Sequence, residues 1–136
     1  QHAGIRAWID EAALPNVSAP LNLDVVSPSW PLGSVAAVYT ANTAHIMSWP
    51  TVQAMFAGVG RILQPAGLLL IYGPFNYEGQ FTSAGNQQFD HTLKMRDPAS
   101  GLRDFEEMDK LAELSGLTLV EDVAMPANNR LLIWRK

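Results

Sequence analysis

Apolar and polar positions along this chain switch repeatedly between a helical and a strand period. Ile5, Trp8, Ile9 and Ala12 recur at the spacing of one helix face. Leu14-Pro15-Asn16 stops that helix. Val17, Leu21, Leu23 and Val25 then mostly alternate, and Pro20 weakens the first half, so a strand is predicted over Leu21–Val25. Ser27 to Ser34 is a turn-rich loop, and Val35–Tyr39 is a short buried strand. A second helix is predicted from near Ser48, its N-cap, with Pro50 in the first turn and Val52, Met55, Phe56, Val59 and Ile62 as its apolar stripe. Gln64-Pro65-Ala66-Gly67 reads as the turn that ends it.

The most hydrophobic run, Leu68–Tyr72, reads as a central parallel strand, broken by Gly73-Pro74-Phe75. A polar loop runs to about Asn86. Phe89 and Leu93 then share one face of a short helix ending before Asp97-Pro98. Asp104 is placed to cap a last helix with Phe105, Met108, Leu111 and Ala112 inward and Gly116 at its stop. Leu117–Val123 and Leu131–Trp134 are predicted strands, close enough in sequence to pair antiparallel. The order α-β-β-α-β-α-α-β-β argues an α/β fold, a parallel sheet with an antiparallel hairpin at its edge.

Composition narrows the function. The chain has 136 residues, one domain's worth, and is 48% apolar. Only 16% of residues are charged, which suggests a surface partly covered by a partner, a homo-oligomer included, or by further chain. The net charge of −4 argues against a nucleic-acid partner. The absence of cysteine removes disulfides, thiolate catalysis and Cys-type zinc sites. The longest apolar run is too short to span a bilayer, and no signal-peptide pattern opens the chain, so a cytoplasmic location is expected.

Several familiar chemistries fail on spacing. Gly58-Val59-Gly60 lacks a third glycine and lies inside the second helix, so it reads as helix packing. Phe81-Thr82-Ser83-Ala84-Gly85 misses a nucleophile elbow because position 81 is not glycine. His2, His45 and His91 share no metal-ligand spacing, so no metal site is expected. Sheet geometry remains, since ligands bind open α/β sheets outside the C-terminal strand ends. Polar groups sit at three such ends: Asp24; Asn42 with His45; and Tyr72 to Asn76. Each has a structural alternative. Asp24 can cap a turn, Asn42 and Thr43 can form one, His45 can be a satisfied core histidine, and Tyr72–Phe75 can be a rigid corner.

These residues carry a resemblance. Leu23-Asp24-Val25, Val35–Asn42 and Arg61-Ile62-Leu63-Gln64-Pro65-Ala66-Gly67-Leu68-Leu69-Leu70-Ile71 resemble the third, fourth and fifth strand regions of class I S-adenosylmethionine-dependent methyltransferases. The closing helix, Gly116, the strand that follows it, Asn128-Asn129 and the hairpin completed by Leu131–Trp134 resemble that fold's antiparallel sixth and seventh strands. More narrowly, the chain resembles a methyltransferase-like family, the domain of unknown function 938. The residues that match are Asn42-Thr43-Ala44-His45-Ile46, Tyr72-Gly73-Pro74-Phe75, Asn86 with Phe89-Asp90, Arg96-Asp97-Pro98, Gly101 with Arg103-Asp104, and Met125-Pro126-Ala127-Asn128-Asn129.

The resemblance implies a Rossmann-like class I methyltransferase sheet with an antiparallel C-terminal hairpin, in one incomplete domain over residues 1–136. That fold's opening strand, Gly-rich loop, helix, second strand and acidic residue have no counterpart in this sequence. Gln1-His2-Ala3 resembles the segment just after the Gly-rich loop, and Gly4 onward the helix after the second strand. Ala3 and Gly4 are therefore expected to have a stretch of chain between them in the full protein.

The implied function is S-adenosylmethionine-dependent methyl transfer to an unknown acceptor, expected to be a small molecule. The alternative is a non-catalytic methyltransferase-like binding or interaction module. A nicotinamide-dependent oxidoreductase is disfavoured, because no tyrosine precedes a lysine by four residues. Carried over, Asp24 and Val25 would meet the cofactor's adenine, Ala41 and Asn42 its reacting end, and Gln1 and His2 its tail. Tyr72, Phe75, Asn76, Phe89, Arg96 and Asp97 would meet the acceptor, with the Phe89–Asp97 helix as lid or wall. His45 is the first candidate base and Asp90 the second.

Overall fold

The computed structural model describes residues 2–136. The first helix, α1, spans His2–Ala12 and passes through Ala3 and Gly4. After it the chain runs without regular structure to β1 (Val35–Ala41). The strand expected at Leu21–Val25 does not form. An extended segment becomes a strand only when a neighbour pairs its N–H and C=O groups. Asp24 instead turns the chain there: its Oδ1 accepts from the Val26 amide at 3.1 Å, and its carbonyl accepts from the Ser27 amide.

From β1 onward the elements track the hydrophobic pattern closely. Helix α2 spans Trp49–Ile62 and buries Val52, Met55, Phe56 and Val59. Ser48 is its N-cap, but the hydroxyl pairs with Thr51 Oγ1 at 2.8 Å rather than with a backbone amide. Strand β2 (Leu63–Gly73) begins earlier than expected. The Gln64–Gly67 turn is absorbed into it as a register shift against β1, with Ala66 at φ 64. Then come β3 (Phe75–Asn76), α3 (Ala84–Arg96), β4 (Arg103–Asp104), α4 (Phe105–Leu114), β5 (Thr118–Met125) and β6 (Asn129–Arg135).

Four strands form one sheet in the order β1-β2-β6-β5. β1 and β2 are parallel, whereas β6 runs antiparallel to both β2 and β5. The expected central strand and edge hairpin are therefore both present. The two-residue strands β3 and β4 pair in parallel beside this sheet.

One sheet face carries the core. Leu69, Ile71, Leu132 and Trp134 are buried there beneath α2 and, from α4, Met108 and Ala112. Phe56 meets Trp134 edge-on at 5.7 Å, and the Trp134 indole N–H donates to Asp109 Oδ1 at 2.8 Å. Gly58 and Gly60 are packing positions, as expected: a Cβ on Gly58 would overlap the Trp30 ring, and one on Gly60 would crowd the Ser115 carbonyl. Among the described residues no helix is long and apolar enough to cross a membrane.

Candidate functional site

The parallel strands β1 and β2 both end at one edge of the sheet, and the chain leaving each end bends sharply. Asn42 comes directly after β1 in a left-handed conformation, φ 56, and its amide still donates to the Tyr72 carbonyl at 2.9 Å. Asparagine tolerates this conformation better than most residues. The bend sends residues 43–47 across the end of β2. Thr40 and Thr43 hydroxyls, 2.6 Å apart, tie the two sides of the bend together.

Two polar atoms converge as a result. Asn42 Oδ1 and His45 Nδ1 each lie 3.7 Å from where a Cβ on Gly73 would stand. A Cβ there would be in ordinary van der Waals contact with both, so glycine at 73 leaves a recess the size of a methyl group between an amide oxygen and an imidazole. His45 is only 5% exposed, and the Phe89 ring of α3 meets it edge-on at 5.2 Å. Neither ring nitrogen is hydrogen-bonded to a described residue. Burial pushes the His45 imidazole below its ordinary pKa, and the Arg103 guanidinium beside it pushes the same way. Both effects favour the neutral ring, which keeps a nitrogen lone pair to accept a proton.

Residues 99–103 lace this site to α3. The Gly101 amide donates to the His45 carbonyl at 2.9 Å. Arg103 Nε donates to the Ala44 carbonyl at 3.2 Å, and its Nη2 donates to the Met47 and Ala99 carbonyls. Arg103 also sits over the Trp49 ring. Both oxygens of Asp90 are engaged: Oδ1 accepts from the Leu102 amide at 2.9 Å and Oδ2 from Lys94 Nζ at 2.7 Å. Asp90 thus anchors the segment that holds His45.

The remaining sequence candidates scatter. Ala41 and Tyr72 are half-buried at the strand ends, beside the recess. Asn76 is buried, and its Oδ1 has no hydrogen-bond partner among the described residues. Phe75 is 2% exposed and packs in the core, so its ring has almost no free surface to offer an acceptor. Arg96 and Asp97 are exposed, and Asp97 folds the next turn through the Ala99 amide. Asp24 is exposed and Val25 packs against the core from outside. His2 is half-buried at the start of α1, and Gln1 lies outside the described residues.

A second polar group at this sheet edge was not among the sequence candidates. Arg130 Nε donates to Asp122 Oδ1 at 2.7 Å, and the Tyr77 hydroxyl donates to Asp122 Oδ2 at 2.7 Å. Burial and that hydrogen bond hold the Tyr77 hydroxyl protonated well above the usual tyrosine range. Long sequence separation hid the group, since Tyr77 and Asp122 are 45 positions apart.

Comparison with solved structures identifies the fold. An O-methyltransferase family protein from Burkholderia thailandensis matches with a TM-score of 0.85 at 15% identity, over 98% of this chain and 40% of that one. The mitomycin 7-O-methyltransferase MmcR matches at 0.84 and 17% identity, over 99% and 39%. The structure of PigF with SAH matches at 0.81 and 12% identity, over 99% and 40%. At such identities the likeness is one of fold: a Rossmann-like methyltransferase sheet with an antiparallel C-terminal hairpin. The chain spans about two fifths of the length of these proteins. Among protein families, the one described as "Protein of unknown function (DUF938)" matches residues 1–136. The chain belongs to that family.

Proposed function

We propose that the protein containing this chain transfers a methyl group from S-adenosylmethionine to an oxygen or nitrogen of a small-molecule acceptor. The observation that carries this reading is the recess at Gly73, flanked by Asn42 Oδ1 and the neutral ring of His45. The fold adds support, because the matched proteins include O-methyltransferases and one bound to SAH.

The residues present fit the cofactor's reacting end. Glycine at 73 leaves room the size of a methyl group, and Ala41 and Asn42 follow at the end of the neighbouring strand. At the adenine end, Asp24 has committed only Oδ1 to the Val26 amide, which leaves Oδ2 free to accept an amino group, with Val25 beside it. His2 would face the cofactor tail. The cofactor, when bound, supplies a methyl group already activated on a sulfonium. This chain's residues then orient the acceptor and handle its proton. His45 takes that proton. Phe89 screens the His45 ring from water, and Tyr72 and Asn76 border the acceptor's approach. Arg103 and Asp90 act through position, by fixing the segments that carry His45.

Turnover with labelled S-adenosylmethionine and a panel of small-molecule phenols and amines tests the reading. His45→Ala is expected to lower kcat by about a hundredfold or more, within the range of general base catalysis, and to change S-adenosylhomocysteine affinity much less. Unchanged turnover removes His45 from the mechanism. A second reading, a non-catalytic binding module, draws on the exposed apolar face of α1, where Trp8 is 73% exposed. Cofactor binding without transfer to any acceptor favours it.

A further inference from the structure

A cavity of about 360 Å³ opens beside the recess, between the loop after β3 and the β5–β6 hairpin. Small-molecule pockets start at about 300 Å³, so this one suits a ligand of one or two rings. Arg130 in its wall is the cross-strand partner of Gly73. Antiparallel partners stand only about 4.5–5.5 Å apart, so the cavity and the recess are neighbouring compartments of one sheet edge.

The cavity's chemistry is specific. The Arg130 charge is matched by Asp122 at 2.7 Å, and the other Asp122 oxygen is taken by Tyr77, so the wall is electrically neutral. Thr82 Oγ1 accepts from Asn86 Nδ2 at 3.0 Å, which leaves the Thr82 proton free to donate. Thr82 is exposed, and its Oγ1 is anchored by Asn86, which is itself buried and donates to the Asn128 carbonyl at 3.3 Å. Met125 supplies apolar surface. We infer that this cavity binds an uncharged ring compound carrying a hydroxyl or carbonyl oxygen, which accepts from Thr82 while the ring packs against Met125. Only its assignment as the body of the methyl acceptor rests on the proposed methyl transfer. The binding stands without it.

The probes are 2-naphthol, neutral at pH 7, and 2-naphthoate, its anionic counterpart, titrated into the protein without cofactor and monitored by backbone amide NMR. The expected result is 2-naphthol binding that shifts Thr82, Met125 and Asn129 and is at least about tenfold tighter than 2-naphthoate binding. Thr82→Val weakens 2-naphthol severalfold. Asp122→Asn uncovers the Arg130 charge and swings the preference toward 2-naphthoate. Tighter 2-naphthoate binding to the wild type, no binding of 2-naphthol, or shifts confined to other regions overturns the inference. The wild-type comparison decides even if Asp122→Asn does not fold. A parallel titration with S-adenosylhomocysteine separates the two claims. If 2-naphthol binds and S-adenosylhomocysteine does not, the cavity stands and methyl transfer falls; the reverse result overturns the cavity alone.

Discussion

Helices α1 and α4 are similar in length and each has one apolar stripe, yet they end in opposite environments. α4 buries Met108 and Ala112 against the sheet. α1 buries nothing among the described residues, and Ile5 and Trp8 on its stripe are exposed. The contrast extends to their surroundings. Residues 35–136 hold nearly the whole core, whereas residues 2–34 contribute only Val25 and Trp30 at its margin. An amphipathic sequence therefore sets which face a helix offers, while burial depends on a second apolar surface meeting that face.

That contrast can be broken by paired tryptophan substitutions. Trp134→Ala is expected to cost about 3–5 kcal/mol of stability, the usual range for a buried large aromatic. Trp8→Ala is expected to stay within about 0.5 kcal/mol, as at other exposed positions. Denaturant unfolding of both variants measures the difference. A Trp8 cost close to that of Trp134 would mean that the α1 stripe is covered in the full protein.

Trp30 sharpens the boundary, because it is where the N-terminal stretch meets α2. Its indole N–H donates to the Val25 carbonyl at 3.3 Å, and its ring occupies the place of a Gly58 side chain. Gly58→Ala is expected to displace that ring and cost about 1–3 kcal/mol, as overpacking does. A neutral effect would mean that residues 27–34 move aside freely.

Within the packed region, Asp90 and His45 form a smaller contrast of the same kind. Both are buried, but only His45 keeps nitrogens without a partner among the described residues. Asp90→Asn is expected to cost about 1–3 kcal/mol through its lost charge and disturbed partners. Turnover should then fall only in step with the folded fraction. A loss of kcat in fully folded Asp90→Asn would mean that the Asp90 charge takes part in turnover, through the placement of His45 or as a base.

The smallest expected effect is in pH dependence. The folded-state pKa of His45 lies below the ordinary 6.5, so the unfolded chain binds more protons as pH falls beneath that value. The His45 contribution to stability is therefore intact above pH 6.5 and is lost as pH drops through the window below it. His45→Gln should flatten that part of the stability–pH curve. An unchanged curve would show that the ring titrates normally.

Legibility followed the same divide between local pattern and long-range partnership. Leu68–Tyr72 was readable because a continuous apolar run of strand length needs a buried, central place. The Gly58–Gly60 packing was readable because both glycines lie within a helical period. Leu21–Val25 misled because alternation describes a strand's faces and not the neighbour that must pair its edges. The two-residue strands β3 and β4 are too short to carry a period. For the candidate site, Asn42 and Gly73 were locatable because they lie at the ends of β1 and β2, with His45 in the turn that follows Asn42. The Arg103 clamp on Ala44 joins residues 59 positions apart, and the pairing of Asp122 with Tyr77 crosses 45, so neither leaves a local signature.

The central claim is that the ends of β1 and β2 form a methyl-transfer site around Gly73. Titration of the full protein with S-adenosylhomocysteine, monitored at backbone amides, tests it most directly. The account predicts saturable shifts at Ala41, Asn42 and Gly73, and their loss in Gly73→Val at unchanged secondary structure. Saturable binding that leaves those three amides unmoved, or no binding at all, would contradict it.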